Sequence, residues 1–215
     1  MQLLTGMAKL YLLGGENTIK QNARQINQQA FQDAGANPTV LVFPWARPSF
    51  DNNYARRKRL RIYFKSLGAD KILFADYSDT PQQTAAEMTG SDLIYLTGGQ
   101  TSILLERLKT KTVDSILRDF EGVIVGRSAG ALALCKRAVV TDRYTKQTKI
   151  TQGLAIAELT AKVHYKPSRD NLLKKLSKEE KIYAIPQGSA IIYNKGALST
   201  LGNVYLFESQ QKHKL

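Results

Sequence analysis

Short apolar runs alternate with longer mixed stretches through the first part of the chain. Residues 9–13 read as a strand that ends in Gly14-Gly15. Residues 19–34 carry helix formers and stop at Gly35, and 39–43 form a β-branched apolar run closed by Pro44. Residues 52–67 read as a helix stopping at Gly68, and 71–75 as a short strand. Pro81 opens a helix over 81–89, because its missing N–H is not needed in a first turn. Residues 92–96 predict a strand ending in Gly98-Gly99, and 101–108 and 113–120 predict two helices. The apolar run 122–125 then enters Gly126-Arg127-Ser128-Ala129-Gly130-Ala131, and 132–136 read as a helix.

This βαβα order predicts a parallel sheet with helices on both faces and right-handed crossovers. The pattern changes after the helix at 132–136. Residues 139–141 and 149–151 read as short strands around a polar loop, 171–176 as a helix, and 182–185, 190–193, 197–199 and 204–207 as strands between Gly or Asn turns. The predicted fold is α/β: a three-layer sandwich with a mostly parallel sheet, helices on both faces and an antiparallel C-terminal meander. One domain over 1–215 is expected, with 1–6 as an extension ahead of Met7 and 209–215 as a flexible tail. Functional groups of an open parallel sheet gather beyond the carboxyl ends of its strands. Gly14-Gly15, Gly98-Gly99 and Ser128 all fall at such ends.

With 215 residues and 43% hydrophobic content, the chain can bury the core of a single domain. The single cysteine, Cys135, excludes an internal disulfide and reads as a small core residue. No apolar run reaches the roughly 18 residues that span a bilayer, and the first residues lack a signal-peptide pattern, so a cytoplasmic location is expected. The net charge is +13, densest at Arg56-Arg57-Lys58-Arg59-Leu60-Arg61. A solvated helix face is the favoured reading of that run over a nucleic-acid surface, because no zinc spacing or recognition-helix signature accompanies it. A positive surface also attracts small acidic substrates. Two histidines and one cysteine offer no metal cluster, and no metal or cofactor is expected.

Ser128 lies between two glycines at a predicted strand-to-helix turn, the pattern of a nucleophile elbow. A serine hydroxyl needs a base in hydrogen-bond reach. His213 lies in the polar tail, so elimination leaves His164, which follows the apolar 161–163 and precedes Tyr165-Lys166-Pro167. An oxyanion hole needs two backbone N–H groups. Ala129 supplies one, and the Gly98-Gly99-Gln100-Thr101 turn is the natural source of the other. Arg127 and Arg169 are candidates for pairing a substrate carboxylate.

The G-G-Q-T turn with Leu104-Leu105, the S-A-G-A elbow and His164-Tyr165 together resemble peptidase E (aspartyl dipeptidase) and its cyanophycinase relatives, over nearly the whole chain. The family is similar in fold to class I glutamine amidotransferases, with serine in place of cysteine. The resemblance implies an intracellular serine exopeptidase without metal, acting on small acidic peptides such as a dipeptide with N-terminal aspartate. It implies Ser128 as nucleophile, His164 as base, and Gly99 and Ala129 as oxyanion donors. Two positions depart from the family pattern. Gln187 stands where a P-E-G turn carries the glutamate that orients the histidine, leaving Gln187 or Asp142 as the orienting group. Gln100 replaces the asparagine of a G-G-N-T turn, at a position tied to substrate preference.

Two alternatives remain at this level. Gln187 and the basic surface also suit a weakly active or non-catalytic small-molecule-binding relative on the same fold. The order Ser128, Asp142, His164 suits an α/β-hydrolase-type esterase, although that fold normally inserts further βα units between serine and histidine. The expected partner is a small peptide, with no membrane or nucleic acid, on a monomer or homodimer.

Overall fold

The computed structural model describes residues 8–47, 54–142 and 147–215. Its elements run β1 (Lys9–Leu13), α1 (Arg24–Asp33), β2 (Thr39–Phe43), α2 (Tyr54–Lys65), β3 (Lys71–Phe74), α3 (Pro81–Thr89) and β4 (Leu93–Leu96). Next come α4 (Thr101–Thr110), α5 (Val113–Asp119), β5 (Val123–Arg127), α6 (Ala129–Leu134), β6 (Cys135–Thr141), β7 (Thr148–Gln152) and β8 (Ala157–Val163). A 3-10 turn at Pro167–Arg169 leads into α7 (Asp170–Leu176), followed by β9 (Ile182–Ile185), β10 (Ala190–Asn194), β11 (Ala197–Leu201), β12 (Tyr205–Glu208) and β13 (Gln211–Lys214).

Among the described residues the strands form a seven-stranded sheet, β11-β10-β1-β5-β4-β2-β3, and a six-stranded sheet, β13-β12-β9-β8-β6-β7. In the first, β3, β2, β4, β5 and β1 run parallel, and the β10–β11 hairpin is added antiparallel along β1. β1, β2, β4 and β5 are almost wholly buried, as strands covered on both faces must be. Alternation along each strand sorts the side chains. Tyr11, Leu13, Val40, Val42 and Tyr95 pack against α1 and α2 on one face. Leu10, Leu12, Leu41, Phe43 and Ile94 face the cluster that contains the apolar sides of α3 to α6. Helix α6 is buried along its length and touches β1, β4 and β5 of one sheet and β6 and β8 of the other. It is the joint between the two sheets.

The strands after the elbow do not stay together. β10 and β11 complete the first sheet, whereas β9, β12 and β13 join the second, whose outer face is sealed by α7 through Leu173. Residues 157–163 alternate Ala157, Leu159, Ala161 and Val163 with polar neighbours and form β8, although only the stretch 161–163 draws attention as an apolar run. At the start of α1, residues before Arg24 are turns rather than helix. Asn17 Oδ1 accepts from the N–H groups of Ile19 (3.0 Å) and Lys20 (3.1 Å), offering the backbone a local alternative to the helical ladder. Cys135 begins β6 rather than continuing the helix, and its φ of −70° and ψ of 160° are extended.

The flexible tail expected over 209–215 is corrected by β13, which pairs antiparallel with β12. Its sequence is polar and carries no apolar period, so the strand is made by its surroundings. Lys212 reaches Asp170 Oδ2 at 2.9 Å and lies 4.5 Å from the centroid of the Tyr205 ring, with Tyr165 and Phe207 close by. The lysine stem covers aromatic surface while its ammonium meets a carboxylate. The extension expected over 1–6 lies outside the described residues. Lys212→Ala should therefore lower the unfolding free energy by about 1 kcal/mol, as a partly exposed cation–π contact does. Lys214→Ala should leave it within about 0.5 kcal/mol. Urea unfolding of both variants checks this.

Candidate active site

The carboxyl end of β1 is where the site is assembled. The Ser128 N–H donates to Leu13 O (2.9 Å), the His164 N–H to Gly14 O (2.8 Å) and the Gly188 N–H to Gly15 O (2.9 Å). Three consecutive carbonyls thus hold three segments that are far apart in sequence.

Ser128 lies between β5 and α6 with φ 55° and ψ −105°, a conformation that non-glycine residues rarely adopt. The Leu132 N–H donates to Ser128 O at 3.0 Å and fixes the first turn of α6. The flanking glycines are sterically required. A Cβ on Gly126 would lie 2.7 Å from Ala131 N, and one on Gly130 would lie 2.4 Å from Leu96 O. These contacts force the sharp turn that lifts the hydroxyl out of the sheet.

His164 follows β8, also at positive φ (50°). Its Nε2 stands 2.7 Å from Ser128 Oγ. The ring packs on Gly15, where a Cβ would fall 2.3 Å from His164 Cε1, so no larger residue leaves the imidazole in place. Loss of hydration on its protein side lowers the His164 pKa below 6.5, and the positive charges of Lys162, Arg127 and Lys166 lower it further. Lys162 is itself buried, with Nζ 3.0 Å from Thr141 Oγ1. Burial, aided by Arg169, pushes its ammonium down to about 8.

Gln187 lines the same cleft as Ser128 and His164, on the exposed turn after β9. Among the described residues it makes no hydrogen bond to the imidazole, and no carboxylate lies within 4 Å of the ring nitrogens. Asp142, the other expected orienting group, is not part of this arrangement. It sits exposed just after β6, its N–H donating to Gln147 O at 2.8 Å. Gly98 and Gly99 lie beside Ser128, and a Cβ on Gly98 would be 3.3 Å from Ser128 Cβ. Among the described residues, the N–H groups of Gly99 and Ala129 have no acceptor. Arg127 lines the cleft, its guanidinium 6.0 Å from the Tyr95 ring centroid. Gln100 and Arg169 do not line it. The Gln100 N–H is drawn to Ala46 O at 2.6 Å, and Arg169 sits at the start of α7, where it acts on Lys162.

The cleft has a volume of about 570 Å³. Among the described residues its walls carry Arg47, Arg56, Arg59 and Arg127 and the carboxylate of Glu16. Besides Arg127, already singled out in the elbow, the sequence carried a signal for two of these arginines. Arg56 and Arg59 are three apart on α2, and so share a face, within the run read as a solvated helix surface. Glu16 follows the strand-end glycines, but nothing in its neighbourhood marks it as a site residue. Among the described residues no group of His, Cys, Asp and Glu could hold a metal ion, and no helix is long and apolar enough to cross a membrane.

The model of peptidase family S51 matches residues 10–201. Among solved structures, a peptidase from an acI-B1 Actinobacterium superposes with a TM-score of 0.76 at 19% identity, over 98% of this chain and 95% of that one. A peptidase E protein from Listeria monocytogenes EGD-e superposes with a TM-score of 0.70 at 20% identity, over 91% of this chain and 98% of that one. At these identities the two likenesses establish the fold. No protein of curated function matches the sequence. The match over 10–201 covers both Ser128 and His164 and nearly all of the α/β architecture, so the chain belongs to peptidase family S51 and is a serine peptidase.

Proposed function

We propose that Ser128 and His164 perform acyl transfer on short acidic peptides, with an N-terminal aspartate as the preferred residue. The observation that carries this reading is the 2.7 Å contact between Ser128 Oγ and His164 Nε2 in a small cleft whose walls, among the described residues, carry four arginines. The cleft volume suits a few residues of peptide, and guanidinium groups pair with carboxylates.

In this mechanism neutral His164 carries its proton on Nδ1, so that Nε2 accepts from the serine hydroxyl. The lowered pKa keeps the ring neutral at pH 7, as a base must be. Ser128 Oγ attacks the scissile carbonyl as its proton passes to Nε2. The N–H groups of Gly99 and Ala129 receive the oxyanion. The imidazolium then gives its proton to the leaving amine, and water attacks the acyl-enzyme by the reverse route. The imidazolium forms close to Lys162, Arg127 and Lys166, which oppose its charge. Gln187 adds no compensating negative charge, so the carboxylate of an acidic substrate is the group that offsets the field.

Ser128→Ala should reduce hydrolysis of aspartyl dipeptides by about 10⁴-fold or more. Undiminished turnover would sink the assignment, and fluorophosphonate labelling of Ser128 reads the same point independently. Cationic neighbours penalise protonated His164, so kcat/KM should climb with pH along a limb whose midpoint lies below 6.5. Lys162→Met removes one of those cations and should move the midpoint upward, as a pH–rate series reads directly. Gln187→Glu places a carboxylate on the histidine's cleft and should raise kcat about tenfold or more, the scale on which charge stabilisation at a base acts. An unchanged kcat in steady-state assays would remove residue 187 from the mechanism.

A further inference from the structure

A dipeptide with N-terminal aspartate brings one ammonium and two carboxylates into the cleft. The arginines suit the carboxylates. They repel the ammonium, which also loses hydration on entry. A cationic cleft that accepts a free N-terminus therefore needs a carboxylate at one point of its wall. Among the described residues lining the cleft, Glu16 is that carboxylate.

Glu16 is held for such a task. Its Oε1 accepts from Tyr63 OH at 2.8 Å and from Asn27 Nδ2 at 3.1 Å, two donors on α2 and α1. Tyr63 also receives the Asn27 amide at 3.0 Å, so the donors brace each other. Among the described residues Oε2 has only a long contact, 3.4 Å from Tyr95 OH, and keeps acceptor capacity. Tyr95 connects the carboxylate to the reacting side of the cleft, because the guanidinium of Arg127, next to Ser128, lies over its ring. The preceding residue, Gly15, carries the His164 imidazole. A carboxylate needed only to bind α1 and α2 together would be satisfied through Oε1 and would have no reason to border the cleft.

We infer that Glu16 receives the free α-ammonium of the N-terminal residue and so makes the enzyme selective for peptides with an unblocked amino end. This rests on the acidic-peptide reading above and adds to it the group that aligns the substrate from its amino end.

The test is equilibrium binding by calorimetry in the Ser128→Ala background, which removes turnover. The ligands are aspartyl-leucine and its desamino analogue, succinyl-leucine, compared with and without Glu16→Gln. The amide keeps the shape of the carboxylate and drops its charge. Removing the ligand amine and removing the Glu16 charge should each weaken binding about tenfold or more, the scale of a charge-assisted hydrogen bond. Removing both should weaken it no further than either alone. Equal weakening of both ligands by Glu16→Gln, no weakening of either, or failure of aspartyl-leucine to bind overturns the assignment. A second measurement needs no substitution at Glu16. Binding of aspartyl-leucine should decline as pH rises through the α-amino pKa of about 8, while binding of succinyl-leucine lacks that limb. Lys162 titrates in the same range and His164 below it, and each contributes to both profiles alike, so the readout is the additional fall for aspartyl-leucine, and identical profiles for the two ligands overturn the assignment. Fluorophosphonate labelling of Ser128 in the otherwise native protein reports separately on acyl transfer. Labelling together with a failed binding cycle removes Glu16 alone and leaves the peptidase reading intact.

Discussion

Three carbonyls at the end of one strand hold this site together. Leu13, Gly14 and Gly15 accept the N–H groups of Ser128, His164 and Gly188. Because β1 lies inside the parallel sheet, with β5 on one side and β10 on the other, its end cannot drift without disturbing both neighbours. The two positive-φ residues that face each other, Ser128 and His164, are thus anchored by backbone rather than by side chains. Strained conformations persist where the surrounding structure over-determines them. Here the determinants are the β1 carbonyls and the glycines that admit close approach.

Around that rigid centre the chemistry is governed by an excess of positive charge. Among the described residues four arginines line the cleft, and the buried Lys162 acts on the histidine. The positive charges of Lys162, Arg127 and Lys166 disfavour protonated His164. Under the acidic-peptide reading proposed above, the carboxylate of a bound substrate would offset that field. Among the described residues Glu16 is the negative point in that wall, held by Tyr63 and Asn27 from two different helices.

Much of this was legible in the sequence where the cause is local. The runs at 39–43, 81–89 and 182–185 coincide with β2, α3 and β9 because period, flanking proline and strand length are properties of a few adjacent residues. The serine turn was legible in part for the same reason: the clash that requires Gly126 involves Ala131 in the helix that follows, whereas Gly130 is required by Leu96 on β4. Legibility failed where partners are distant. β13 is a strand because Lys212 finds Asp170 and three aromatic rings, none of which its own polar sequence reveals. The division of the later strands between two sheets is likewise invisible in a run of similar short strands.

By itself the sequence determined the α/β order, the elbow and the pairing by elimination of one serine with one histidine. Periodicity and turn sterics act over a few residues, and a chain with two histidines leaves little to choose. Only the tertiary structure decided what surrounds that pair. It set Gly15 under the imidazole and turned Arg56 and Arg59 from a helix surface into a cleft wall. It kept Asp142 out at the exposed end of β6 and brought Glu16 in. Those outcomes depend on how close segments come when the sheets fold over α6. Distances of that kind are set by packing across the whole domain, not by any stretch of neighbouring residues.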